Sequence, residues 1–318
     1  MKVFMKIAYL YPGQGTQVVG MGKDLYEKYE EVRKVYKIAG EALGESVEEI
    51  TYNLSQEELN ETKNTQIAIY VMSMAITEFL KKEGITAEMS AGLSLGEYSA
   101  LTYANAIKLE EGVKIVRKRG ILMQNLAPKG NWAMSAIIGL EDENVKEACT
   151  KVDNGFVKAV NYNCPGQVVI SGEREAVLKA MEISKELGAR KVIELKTSGP
   201  FHTEKLIEAS KELKKELEKL SFNKLNTEVV KNADGKPYKA GDNMVEILSN
   251  HVIKPVMFRK SLETMLDEGA DTFIEVGPGK TLSGFAKKVC KEKGVEANVF
   301  NIESVETLEN VLENIKNN

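Results

Sequence analysis

The sequence predicts an α/β architecture: a large domain built on a parallel sheet, with a smaller domain inserted into it. Three observations lead there. Short β-type runs alternate with helical patterns along the chain, as strands joined by helical crossovers do. Residues 131–196 follow a different order, βαββαβ, which is the ferredoxin-like pattern. A serine flanked by glycines falls between a strand and a helix at 92–96, the context of an α/β-hydrolase-like nucleophile turn. The expected division is 1–130 with 197–318 for the large domain and 131–196 for the small one.

Taken in order, 6–11 reads as a first buried strand, followed by the turn Pro12-Gly13-Gln14-Gly15. Helical patterns cover 25–40 and 66–83, the second closed by Gly84 as a C-cap. A short strand at 87–91 leads through Gly92-Leu93-Ser94-Leu95-Gly96 into a helix ending near Tyr103. The helix at 109–126 stops at Pro128 and Gly130. The inserted unit contributes strands at 133–139, 156–161, 167–172 and 191–195, with helices at 142–150 and 173–187. The larger pattern resumes with a helix at 203–220 and strands near 227–231, 272–276 and 298–302. Helices at 281–293 and 305–315 follow the last two, and a short polar tail is expected to fray.

Composition removes several function classes. A net charge of −4 with 28% charged residues argues against wholesale nucleic-acid binding, which needs a basic excess. The apolar run near the N-terminus is interrupted by Lys6, and no stretch approaches the ~20 residues of a membrane span, so neither signal peptide nor membrane helix is expected. Three scattered cysteines, Cys149, Cys164 and Cys290, give no zinc spacing or disulfide framework and fit a reducing cytoplasm. With only two histidines, His202 and His251, a multi-histidine metal site is not expected.

The chemistry concentrates in a few places. In G-x-S-x-G the glycines permit a sharp turn that makes Ser94 protrude, and the helix after it offers free N–H groups to an oxyanion. A serine hydroxyl needs a base. His202 stands in Ser198-Gly199-Pro200-Phe201-His202, at the junction of the inserted unit with the larger domain, where clefts form. Taken alone it reads first as a helix-start residue, and the absence of rival bases shifts the balance, since the side chain of His251 reads as one that caps or packs. Gly13-Gln14-Gly15-Thr16-Gln17 fails as a dinucleotide fingerprint because Val18 occupies the third glycine position. It is either a plain strand-ending turn or a source of a second oxyanion N–H. The run Arg117, Lys118, Arg119 is either a solvated face or contains one inward guanidinium able to fork a carboxylate. Gly277-Pro278-Gly279 lacks the Walker lysine and serine and reads as a strand-to-helix turn.

Taken together, GQGTQ at 13–17, TQ at 65–66, GLSLGEY at 92–98, RGILMQ at 119–124, NYNCPGQVVISG at 161–172, SGPFH at 198–202 and EVGPGKTL at 275–282 resemble the malonyl-CoA:acyl carrier protein transacylase family. The likeness runs over essentially the whole chain. It implies transfer of a malonyl group from malonyl-CoA to the phosphopantetheine thiol of acyl carrier protein, through an ester on Ser94, in fatty acid biosynthesis. It further implies that His202 is the base, oriented by a backbone carbonyl near Asn250 and His251. Arg119 would pair with the malonyl carboxylate, and the N–H groups of Gln14 and Leu95 would form the oxyanion hole. Gln66, Asn161 and Asn163 would line the cleft or pantetheine path, and Phe201 would crowd an α-methyl group. His251 is grouped with these substrate-side residues. No metal or cofactor is implied; malonyl-CoA is a substrate.

Two positions depart from the family's common pattern: Leu93 stands where a histidine is usual, and His251 where a glutamine is frequent. The rival readings are a serine hydrolase or thioesterase, a non-catalytic carrier-binding module, and an acyltransferase of a polyketide pathway. A cytoplasmic monomer is expected. Acyl carrier proteins are usually acidic, so Lys191, Lys196, Lys287 and Lys288 are candidates for a docking surface.

Overall fold

The computed structural model describes residues 5–196 and 199–316. Ser198 of the SGPFH motif and the two terminal asparagines lie outside the described residues.

Among the described residues nine strands follow in order: β1 (Ile7–Tyr11), β2 (Met89–Gly92), β3 (Trp132–Ile138), β4 (Val157–Cys164), β5 (Gln167–Glu173), β6 (Lys191–Glu194), β7 (Glu228–Val229), β8 (Thr272–Val276) and β9 (Asn298–Ile302). Five form a parallel sheet in the order β7-β2-β1-β8-β9. β1, β2 and β8 are buried at every position, because helices cover both faces of a parallel sheet and leave no solvent side to alternate with. Tyr11 pairs with Gly92, so the loops that leave β1 and β2 emerge side by side at one edge. That carboxyl edge is where open α/β sheets bind ligands.

The other four strands form an antiparallel sheet, β4-β5-β3-β6. β3 alternates cleanly. Ala133 and Ile137 pack with residues of the helices Asp142–Thr150 and Arg174–Glu186, while Met134 and Ala136 belong to the main core on the opposite face. That second face walls the cleft described below.

Several elements differ from the sequence reading. The helix expected at 25–40 is two, Lys23–Lys28 and Glu30–Leu43, separated at Tyr29 by an extended residue (φ −112°, ψ 128°). The helix expected from 66 begins a turn earlier, at Thr62. The helix expected at 203–220 is a 3-10 turn, Glu204–Leu206, followed by Ile207–Leu217. β4 runs on to Cys164 through two register shifts, which the strand expected at 156–161 did not include. Helices Met244–His251 and Phe258–Asp267 and the turns Glu49–Asn53 and Gln56–Leu59 had no counterpart in that reading. Among the described residues no helix is long and apolar enough to cross a membrane.

Candidate active site

The turn after β2 is built by close backbone approach. A Cβ on Gly96 would lie 2.1 Å from the carbonyl oxygen of Tyr11, and one on Gly92 would lie 1.9 Å from the carbonyl carbon of Gly96. Only glycine fits either position, and the resulting contact seats the helix Gly96–Tyr103 on the end of β1. Ser94 is held at φ 53°, a left-handed conformation that costs a non-glycine residue roughly 1–2 kcal/mol. Its hydroxyl thereby projects above the sheet edge. The N–H groups of Leu95 and Gln14 have no protein acceptor among the described residues, and both residues line the same cavity as Ser94.

His202 also sits at positive φ, 61°. Its Nε2 lies 2.8 Å from Ser94 Oγ, while Nδ1 lies 2.9 Å from the carbonyl of His251 and 3.2 Å from that of Lys254. Carbonyls only accept, so Nδ1 carries the proton and Nε2 is left to accept from the serine hydroxyl. Burial, followed by the neighbouring Arg119 charge, pushes the His202 pKa down to about 4, with the two carbonyls pulling the other way. At neutral pH the ring is therefore an unprotonated base.

Of the three basic residues at 117–119, it is Arg119 that turns inward. It is only 1% exposed. Its Nη1 donates to Gln66 Oε1 at 2.7 Å and its Nη2 to Ser94 Oγ at 3.1 Å, while Nε has no partner among the described residues. The guanidinium lies over the Tyr98 ring, 5.5 Å from its centroid. Burial lowers its pKa from the usual arginine value, opposed by Tyr98 and Glu97. No carboxylate hydrogen-bonds to it among the described residues. Arg117, by contrast, forks Glu45 at 2.7 and 2.8 Å near the surface.

Ser94, His202 and Arg119 open onto a cavity of ≈ 680 Å³. Asn161 and Asn163 reach it from β4, each with a buried side-chain oxygen that has no hydrogen-bond partner among the described residues. Phe201 lies in its wall, 6% exposed and pressed against Gly199. Gln66 touches the cavity but is spent mainly on Arg119; its amide nitrogen meets only Met123 Sδ, at 3.5 Å. His251 requires a correction, because it does not line the cavity and contributes to the site through its carbonyl. Its ring is buried, with Nδ1 3.3 Å from Glu97 Oε2 but without hydrogen-bond alignment, and burial holds its pKa well below the usual histidine value. Leu93, the other departure, packs at the cavity rim against the core on the far side of the main sheet.

The four lysines do not form one cluster at the mouth. Lys196 lines the cavity, Lys288 is engaged with Gln167 Oε1 at 3.2 Å, and Lys191 and Lys287 are exposed away from its lining. Sequence reasoning missed a buried layer beneath the turn. Glu97 accepts from Tyr238 OH at 2.7 Å and from the Asn232 N–H at 3.3 Å, and burial raises its pKa to about 7. Asn232 in turn bonds to Ser94 N–H at 2.7 Å. Glu97 could have been noticed as an acid inside an otherwise apolar helix start. Asn232 lies in the polar stretch Lys231-Asn232-Ala233-Asp234-Gly235, which reads as an ordinary turn.

The likeness to known proteins is one of sequence and of fold. Residues 8–314 match the family described as acyl transferase domain, and the chain belongs to it. The malonyl CoA-acyl carrier protein transacylase of Bacillus subtilis (strain 168) is 39% identical over 313 residues, covering 98% of each chain. The crystal structure of the enzyme of that name from Clostridium perfringens superposes with TM-score 0.92 at 45% identity, covering 98% of both chains. A malonyl-transacylase in complex with a type II PKS acyl-carrier protein superposes with TM-score 0.92 at 34% identity, covering 97% of this chain and 99% of that one.

Proposed function

We propose that this acyltransferase moves a malonyl group from malonyl-CoA to the phosphopantetheine thiol of acyl carrier protein through an ester on Ser94. The observation that carries the reading is the fully buried Arg119, which has no carboxylate hydrogen-bonded to it among the described residues and lies one hydrogen bond from the Ser94 hydroxyl. Burying a guanidinium without a hydrogen-bonded carboxylate is costly, and a substrate carrying its own carboxylate relieves that cost on binding. A simple hydrolase of neutral esters has no use for it.

His202 Nε2 takes the Ser94 proton as Oγ bonds to the malonyl thioester carbon. The oxyanion falls to the open N–H groups of Leu95 and Gln14; donors of this kind are worth about 10²–10³ in rate each. As the C–S bond breaks, the imidazolium returns the proton to the leaving CoA sulfur. The pantetheine thiol then gives its proton to His202, attacks the ester carbon, and Ser94 regains its hydrogen. Asn161 and Asn163 offer two amide oxygens, unpartnered among the described residues, along the wall that a pantetheine arm would follow. No step needs a metal or cofactor.

The finer architecture belongs to the same proposal. The βαββαβ order and the β4-β5-β3-β6 sheet support a ferredoxin-like small domain at 131–196, inserted into an α/β-hydrolase-like domain formed by 1–130 and 197–318. We take the enzyme as a cytoplasmic monomer serving fatty acid biosynthesis. The relative seated with a type II PKS acyl-carrier protein favours a polyketide pathway as the second reading. Incubation with malonyl-CoA and holo-acyl carrier protein tests the reaction: malonyl transfer to the carrier exceeding free malonate release supports it, and release alone marks a hydrolase.

A further inference from the structure

The parallel ladder between β2 and β7 ends early. Val230 N–H still bonds to the carbonyl of Ser90 at 2.9 Å, and the next rung would join the N–H of residue 232 to the carbonyl of Gly92. Instead the Asn232 N–H turns to Glu97 Oε2, and its side chain takes over the rung. Asn232 Nδ2 donates to Gly92 O at 2.6 Å, and Oδ1 accepts from Ser94 N–H at 2.7 Å. One amide thus spans the turn on both sides of Leu93. It is completely buried, and its own carbonyl is fixed by Met257 N–H at 2.7 Å.

We propose that Asn232 is a positioning residue that holds the nucleophile turn in its left-handed conformation and so sets the Ser94–His202 contact. The side chain meets neither the cavity nor the reacting atoms; it acts through the backbone of Gly92 and Ser94. It also occupies the Ser94 N–H, which leaves Leu95 and Gln14 as the open donors at the oxyanion position. The inference rests on Ser94 being the nucleophile.

The test compares N232A, N232D and S94A in transfer from malonyl-CoA to holo-acyl carrier protein, together with the rate at which phenylmethanesulfonyl fluoride modifies Ser94. N232A is expected to lower kcat about 10²-fold, the scale of an ångström misplacement in a reacting group, with KM for malonyl-CoA little changed and Ser94 modification slowed in parallel. Aspartate at 232 accepts from Ser94 N–H in either ionisation state but donates to Gly92 O only when protonated. The ratio of N232D to parent activity should therefore rise as pH falls. A folded N232A with parent kcat and parent labelling overturns the proposal. Should N232A not fold, a pH-independent activity deficit in N232D overturns it, and a ratio that recovers at low pH supports it. Retained transfer in S94A would instead sink the nucleophile reading itself.

Discussion

Arg119 Nη2 donates to Ser94 Oγ at 3.1 Å, on a hydroxyl that His202 Nε2 also meets at 2.8 Å. The hydroxyl is therefore held between an imidazole and a cation. In the proposed reaction that cation would meet a carboxylate carried two bonds beyond the carbon that Ser94 attacks.

Arg119→Ala is expected to reduce malonyl transfer by about 30-fold or more, since removing one member of a buried charge pair costs roughly 2–5 kcal/mol. Acetyl loading, which needs no such partner, should change little or rise. Rates of serine acylation from the two thioesters check this, and equal loss of both would make Arg119 merely structural.

Gln66→Leu leaves Arg119 in place but removes its 2.7 Å acceptor. Hydrogen bonds to charged groups are worth about 1.5–3 kcal/mol, so the freed guanidinium should shift and the malonyl-over-acetyl preference should fall by about tenfold or more. The ratio of kcat/KM for malonyl- and acetyl-CoA is the measurement; an unchanged ratio would mean that Tyr98 alone orients the arginine.

His202 gives the reaction its acid limb. Its folded pKa is about 4, below the ordinary histidine value, so acylation should rise with pH through that region and stay level towards neutrality. The unfolded chain binds the extra proton between about pH 4 and 6.5, so this group's contribution to stability is complete above that window and is lost as pH falls through it. His202→Gln should remove both dependences, as followed by single-turnover rates and by Tm against pH.

Glu97 works with the opposite sign. Burial raises its pKa to about 7, so the folded protein holds a proton that the unfolded chain releases from about pH 4.5, and stability is lost as pH rises through 7. Glu97→Gln is expected to flatten the decline in Tm between about pH 4.5 and 7 while keeping an acceptor for Tyr238. A parent-like slope in the variant would assign that decline to other groups.

Much of the site could be read before any coordinates, and what could not has physical causes. Ser94 is legible because a strand, two glycines and a helix must coincide for the turn to close, and the close contacts at Gly92 and Gly96 are the reason. His202 is legible by scarcity. Which arginine points inward is not, because Arg117 and Arg119 lie about 200° apart on a helix and either face could be buried. Asn232 is invisible in sequence since a turn asparagine and an asparagine completing a sheet ladder look alike. The helices at 244–251 and 258–267 were overlooked beside Gly241 and Pro255, where breaker residues masked short amphipathic stretches. The break at Tyr29 leaves no mark in the charge pattern, because the acidic and basic residues continue across it.

The most direct test of the account is site-resolved mass spectrometry of the enzyme after brief exposure to malonyl-CoA without acceptor. The account predicts one added malonyl group, located on the peptide containing Ser94, absent in Ser94→Ala and discharged by the thiol of holo-acyl carrier protein. A malonyl adduct on any other residue, or transfer that proceeds undiminished with Ser94 replaced, would contradict it.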